Sequence, residues 1–315
     1  MSASSRAPRV LVVLKRSSWR KWIEEERDAR IERLIAAEDE TVRRMRPGHQ
    51  AHTETIEEVR RALSELGAEA VYTEHPHQFR VEGRCDLVVT VGGDGTLLAA
   101  SHGIGAGIPL LGVNSAPMQS VGFFCAAKKG RAKSALAAAL AGDLRRVELA
   151  RMRVELDGAL LHDRVLNEAL FCHASPAATS RYILRLVQPR DRGKAREIDV
   201  EEQKSSGLWV GPAAGSTAAQ RSAGGKVLPL TSSKLQYVVR EPYRIEGHML
   251  RLAQGLFDED QALEIKSKMR QARVFLDGDH IVHEVTIGNV VTMRRSAEPL
   301  TVLGLSPSRN GRKSA

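Results

Sequence analysis

The stretch DLVVTVGGDGTLL, Asp86 to Leu98, runs a β-branched segment directly into three glycines that enclose one acid. Leu87–Val91 is almost continuously apolar, the pattern of a strand covered on both faces of a parallel sheet. Glycines at the carboxyl end of such a strand let phosphates approach the backbone and the first amides of the following helix. The spacing matches neither G-x-G-x-x-G nor G-x-x-x-x-G-K-[ST], which excludes the dinucleotide fingerprint and the P-loop. One reading is a plain strand-to-helix turn, with Gly92, Gly93 and Gly95 at positive φ and Asp94 capping the helix. The other gives the acid a chemical role, because phosphoryl transfer needs a group that orients or deprotonates the attacking hydroxyl. Asp94 is then the catalytic candidate, with Gly92, Gly93, Gly95 and Thr96 as phosphate contacts.

Outward from this point the chain alternates. Val10–Leu14, Ala68–Thr73 and Ile108–Val113 are expected strands. Trp19–Met45 is expected as one long helix ended by RPGH, and Glu54–Leu66 as a second closed by Gly67. Thr96–His102 and Lys128–Ala141 complete the helices. Alternation of this kind predicts an α/β domain over 1–143, a parallel sheet with helices on both faces. From 144 the texture changes to short alternating stretches with hairpin signals at Asp157-Gly158 and Asp277-Gly278. An all-β domain over 144–305 follows, in which Ala253–Gln261 reads as a connecting loop. The basic residues 306–315 read as a disordered tail.

The 315 residues carry a net charge of +9, but the signs interleave at helical spacing, as in WRKWIEEERDARIERL. With 4% aromatic residues there are few stacking platforms, so nucleic acid is not the expected partner. No apolar run is long enough to cross a bilayer, so no membrane is expected either. Three widely spaced cysteines without a C-x-x-C pair argue against a disulfide framework or zinc site and for a cytoplasmic location.

VGGDGTLL resembles the motif shared by NAD kinases, diacylglycerol and sphingosine kinases, and phosphofructokinases. Lipid kinases follow it with an acid and Asn-Gly, where this chain has LLAA, Leu97–Ala100. Three further ordered blocks resemble NAD kinases: LGVNSAPMQSVGFF (Leu111–Phe124), LNEAL (Leu166–Leu170) and SSGLWVGPAAGSTAAQRSAGG (Ser205–Gly225). The last is most similar to the plant-type NADH kinase branch. The resemblance implies a Rossmann-like, phosphofructokinase- or diacylglycerol-kinase-like domain followed by a β-sandwich, with the nucleotide in the cleft between them.

It also implies ATP-dependent phosphorylation of the adenosine-ribose 2′-hydroxyl of NAD or NADH, with Mg²⁺ or another divalent cation. The enzyme is then expected as a homo-oligomer, a dimer or tetramer. Implied nucleotide contacts are Asn114, Asn167, Glu168, Lys204, Ser206, Thr217 and Ser222, with no metal-ligating side chains. Asn supplies a donor and an acceptor and Glu accepts twice, which suits a ribose diol or an adenine amine. Lys15, Arg16 and Arg221 could meet phosphates, although surface charge explains each of them as well.

Departures from the family pattern are Ser206 where it has Asp, Ala219 where it has Tyr, Asp279 where a Gln is common, and a glycine displaced from its place after Asn114. Loss of an acid and an aromatic ring predicts that NADH is used at least as well as NAD⁺. Two alternatives stay open: a GGDGT kinase with a lipid or sugar acceptor, and a non-catalytic NAD(H) sensor.

Overall fold

Apolar strands that are covered on both faces form the centre of the first unit's sheet. The structure is a computed structural model, described for residues 6–189, 195–243 and 250–305, and its contacts divide the chain in two. The first unit spans Met1–Val147 and takes back the strand Leu300–Leu303; the second spans Glu148–Pro299.

In the first unit β1 (Arg9–Leu14), β2 (Glu69–Thr73), β3 (Leu87–Gly92) and β4 (Pro109–Asn114) run parallel in the order β2-β1-β3-β4. Leu300–Leu303 lies beside β4, and β6 (Arg146–Leu149) lies beyond it. The short β5 (Cys125–Lys128) also pairs with β4. The helices are α1 (Ala29–Ala36), α2 (Met45–Glu65), α3 (Asp94–Ser101) and α4 (Ala132–Ala141). Val12, Val89 and Val113 of the sheet share a core with Val59 and Leu63 of α2 and Leu136 of α4.

The second unit holds two antiparallel sheets. One orders β11 (Arg196–Ser205), β10 (Ser180–Gln188), β15 (Ala262–Ser267), β18 (Val290–Arg295), β7 (Met152–Leu156) and β8 (Ala159–Val165). The other orders β14 (Gln254–Phe257), β13 (Leu235–Arg240), β12 (Gly207–Pro212), β9 (Ala169–His173), β16 (Ala272–Leu276) and β17 (Ile281–Val285). Their inner faces close one core: Val154, Tyr182 and Ile265 from the first sheet meet Phe171, Val210 and Val274 from the second. Phe171 and Tyr182 meet edge to face, with ring centroids 5.4 Å apart.

Several elements differ from the sequence reading. The expected helix Trp19–Met45 is broken: a π-helical turn, Arg20–Glu25, gives way at Arg27 (φ 48°), and α1 ends before Glu38 (φ 53°). Asp28 decides the restart, because its carboxylate accepts Arg30 N and Ile31 N and caps α1. Pro47 does not end a helix. It lies in the first turn of α2, where its missing N–H had no intrahelical partner to lose. Lys128 belongs to β5, and α4 begins at Ala132 after Gly130 turns the chain at φ 80°. Ala253–Gln261 is not only a loop, since Gln254–Phe257 forms β14 against β13. The tail at 306–315 lies outside the described residues.

Candidate active site

In the first unit the site is built where β3 stops. Gly93 precedes α3 with φ −109° and offers no side-chain cap, and Asp94 is the first helical residue. Asp94 therefore does not cap the helix. None of Gly92, Gly93 and Gly95 is among the positive-φ residues, so conformational freedom is not why they are glycine. Space is the reason for two of them. A Cβ on Gly92 would stand 2.3 Å from Thr96 Oγ1, and one on Gly93 would stand 2.5 Å from Ser120 Oγ. A Cβ on Gly95 would meet nothing within 4 Å, so its face of the first turn is open.

The Asp94 carboxylate is held by a loop far along the chain. Oδ2 accepts Phe123 N and Oδ1 accepts Phe124 N, each at 2.8 Å. Each oxygen keeps a lone pair for another donor. Asn114, buried at the end of β4, shapes that same loop: its Nδ2 donates to Ser120 O and its Oδ1 accepts Ala116 N. Gly122 lies over it at φ 63°, where a Cβ would stand 2.3 Å from Asn114 Nδ2. The displaced glycine thus meets Asn114 through space.

His52 of α2 ties the neighbouring strand ends together. Its Nε2 lies 2.7 Å from Lys15 O, an acceptor, so Nε2 carries the proton and Nδ1 accepts the Ser115 hydroxyl at 2.9 Å. Burial lowers its pKa to about 4, so the ring is neutral at physiological pH. Ser115 N in turn donates to Gly92 O. No sequence signal marked His52, because the clamp depends on a helix crossing two strand ends.

In the second unit two separate sequence blocks converge on Asn167. The chain leaves β8 in one sheet, crosses Leu166–Glu168 and enters β9 in the other. A Cβ on Gly211 would stand 2.2 Å, and one on Gly215 1.8 Å, from Asn167 O, while Gln220 Nε2 donates to that oxygen at 3.3 Å. Gly211 and Gly215 are therefore glycine because they stand against the Asn167 carbonyl. Ser216 is structural: buried, it donates to Ala213 O and accepts Leu228 N. Thr217 ends the 3₁₀ turn Ala213–Thr217, and Ser222 ends the short helix α5 (Ala219–Ser222) with its side chain exposed.

Asn167 Oδ1 and Glu168 Oε2 are buried without a hydrogen-bond partner. Burial, and then the Asp277 carboxylate, push the Glu168 carboxyl up to about 8. Asp277 itself was legible only as a hairpin residue. It turns out to accept the amides of Leu166, Asn167 and Glu168.

Lys204 and Ser206 are not gathered with these groups. They sit at the far end of the β9–β12 pair, past Leu208↔Phe171, whereas Asn167 and Glu168 precede its other end at Val210↔Ala169. There they line a cavity of about 560 Å³ with Arg181, Glu241 and Tyr243. An adjoining cavity of about 430 Å³ reaches Cys172, His173 and Arg240. Among the described residues no cluster of three or more His, Cys, Asp or Glu side chains could hold a metal ion, and no helix is long and apolar enough to cross a membrane.

A glycine-walled strand end with a fixed carboxylate, on an α/β unit followed in sequence by a β-sandwich, defines a GGDGT-type kinase architecture. Residues 2–144 match the ATP-NAD kinase N-terminal domain. A probable NADH kinase of Oryza sativa subsp. japonica is 34% identical, covering 81% of this chain and 82% of that protein. An NADH kinase of Arabidopsis thaliana is 34% identical over 71% and 75% of the two chains. The crystal structure of an Archaeoglobus fulgidus NAD kinase in complex with ATP shares the fold, with a TM-score of 0.63, 21% identity and 96% of each chain covered. The chain belongs to the NAD kinase family.

Proposed function

We infer that Asp94 is the acid–base residue of this chain, which as a member of the family is an ATP-dependent NAD(H) kinase. The observation that carries the assignment is the Asp94 carboxylate, fixed by two amides beside the open face of Gly95. In the reaction the ribose 2′-oxygen attacks the γ-phosphorus and its proton passes to an Asp94 oxygen. The new O–P bond forms as the bond to the β-phosphate oxygen breaks, and ADP leaves with that electron pair. The first amides of α3, with Gly92, Gly93 and Thr96 around them, stabilise charge on the phosphates. The divalent cation that the resemblance implies would travel with ATP and neutralise charge on its phosphates.

Asn167 and Glu168 hold the acceptor nucleotide, supported by their two unpartnered buried oxygens. Thr217 and Ser222 extend that site, while Asn114 acts by shaping the loop that orients Asp94. Ser206 and Ala219 bear on the nicotinamide end and favour use of NADH, and Lys204 is a candidate phosphate contact. The widely spaced, unpaired cysteines support a cytoplasmic enzyme, and the resemblance supports a dimer or tetramer, which light scattering reads directly. The central test is Asp94→Asn. Its kcat should fall ~10²–10⁴-fold with NAD(H) binding retained. A variant that keeps about half of wild-type kcat at saturation removes Asp94 from the role.

A further inference from the structure

We propose that Asp277 is a positioning residue of the acceptor site: its carboxylate holds the Leu166–Glu168 backbone so that Asn167 and Glu168 present their side chains to the nucleotide. This rests on the reading that these two residues hold the acceptor.

The argument begins with the crossover. β8 ends at Val165 in one sheet and β9 begins at Ala169 in the other, so the amides between them have no ladder to join. Asp277 supplies their acceptors. Its Oδ2 accepts Leu166 N at 2.7 Å, and its Oδ1 accepts Asn167 N at 2.7 Å and Glu168 N at 3.0 Å. Its own N–H donates to Glu168 O at 2.9 Å, which closes the contact from both sides. Three successive amides on one carboxylate leave the crossover little freedom to pivot.

Placement of the acid follows from the sheet. Leu276 is in register with Ala169, so Asp277 stands one step past the last paired residue of β16, opposite the crossover. Its φ of 52° is a conformation that Asp tolerates better than most residues, and Gly278 follows at φ 119°. Nearby, the fully buried Arg151 donates to Glu298 O at 2.6 Å and feels the field of Glu298, Asp163 and Asp277.

The chain contains its own control. Asp157-Gly158 is a second Asp-Gly hairpin, with φ 49° and 82°, and Asp157 likewise accepts a backbone amide, Val290 N at 2.8 Å. It does not touch the crossover. Turn chemistry common to both hairpins therefore separates from the holding of the crossover amides, which of these two acids only Asp277 performs.

The test uses the full chain with ATP and either NAD or NADH. Asp277→Asn leaves one oxygen for three amides and turns an NH₂ toward the rest. KM for NAD(H) should rise about tenfold, the size of one lost charge-assisted contact, while KM for ATP stays within about twofold. Asp157→Asn should lower Tm without altering the ratio of the two KM values. An Asp277→Asn enzyme with unchanged KM for NAD(H), or with both KM values raised alike, overturns the proposal. If that variant does not fold, Asp277→Glu moves the carboxylate by one methylene. It should still raise KM for NAD(H), and a wild-type value overturns the proposal equally. Glu168→Gln, run alongside, separates the two levels. If it leaves KM for NAD(H) unchanged, the acceptor-site reading fails; if it raises KM and Asp277→Asn does not, only the positioning role fails.

Discussion

The carboxylate of Asp94 and the amide of Phe124, thirty residues apart, are joined by a 2.8 Å hydrogen bond, and the adjacent Phe123 amide is held by the other oxygen. The acid proposed to take a proton is therefore also the anchor of the loop that follows β4. Asp94→Asn keeps one acceptor oxygen and replaces the other by a donor that faces an amide. Hydrogen exchange at Phe123 and Phe124 should quicken in this variant, while amides of β1 and β3 keep their protection. Unchanged exchange at both phenylalanines would show that the anchor is not needed to hold the loop.

Gly95 offers a cleaner probe of the phosphate site. It lies inside α3, its φ is not positive, and a Cβ would meet no protein atom within 4 Å. Gly95→Ala should therefore keep Tm or raise it, since Ala is better than Gly in a helix by up to ~1 kcal/mol. Phosphates approaching the same face should find the methyl in the way, so KM for ATP rises. An alanine variant with wild-type KM for ATP places the phosphates elsewhere.

Glu168 ties ligand binding to stability. Its folded pKa is about 8, above the ordinary 4.5, so the folded protein keeps a proton that the unfolded chain releases. Stability from this group is fully present below pH 4.5 and falls as pH rises toward about 8, a loss on the order of a few kcal/mol. Glu168→Gln mimics the protonated form. It should melt near the wild type at pH 4.5 and clearly above it at pH 8.5, even as it binds NAD(H) less well. Equal melting shifts at both pH values would remove the buried carboxyl as the cause.

His52 acts in the opposite direction. Its folded pKa is about 4 against an ordinary 6.5, so the unfolded chain takes up a proton first as pH falls. Stability declines between pH 6.5 and about 4, by about 3 kcal/mol in all. A His52→Gln variant should lose stability at pH 7 and show a flatter acid profile over that window, measured by urea midpoints. A slope identical to the wild type places the acid sensitivity elsewhere.

Ser206 is proposed to bear on redox preference, as the position where the family carries an acid. An acid at this position would favour the positive nicotinamide ring of NAD⁺ by ~1 kcal/mol for a partly solvated pair, a factor of about five. The present enzyme should use NADH at least as well as NAD⁺, and Ser206→Asp should move the kcat/KM ratio toward NAD⁺. A wild type favouring NAD⁺ tenfold, or a ratio untouched by Ser206→Asp, defeats this account of specificity.

Local chemistry sufficed for the architecture. A continuous apolar run at Leu87–Val91 demands cover on both faces, and Asp157-Gly158 demands a tight hairpin, here closed by Leu156↔Ala159. Both are consequences of residues within a few positions of each other. Tertiary structure decided what those residues do. Gly92 and Gly93 are glycine because Thr96 and Ser120 crowd them, and Gly215 because the Asn167 carbonyl stands against it. Asp277 reads as half of a turn until the crossover of another sheet strand brings three amides to its carboxylate. Gly215 of the 3₁₀ turn and Gln220 of the short helix meet the same Asn167 carbonyl, a contact no local pattern announces. Periodicity and turn propensity act over a few residues, whereas excluded volume and the pairing of buried amides are settled only when distant segments meet.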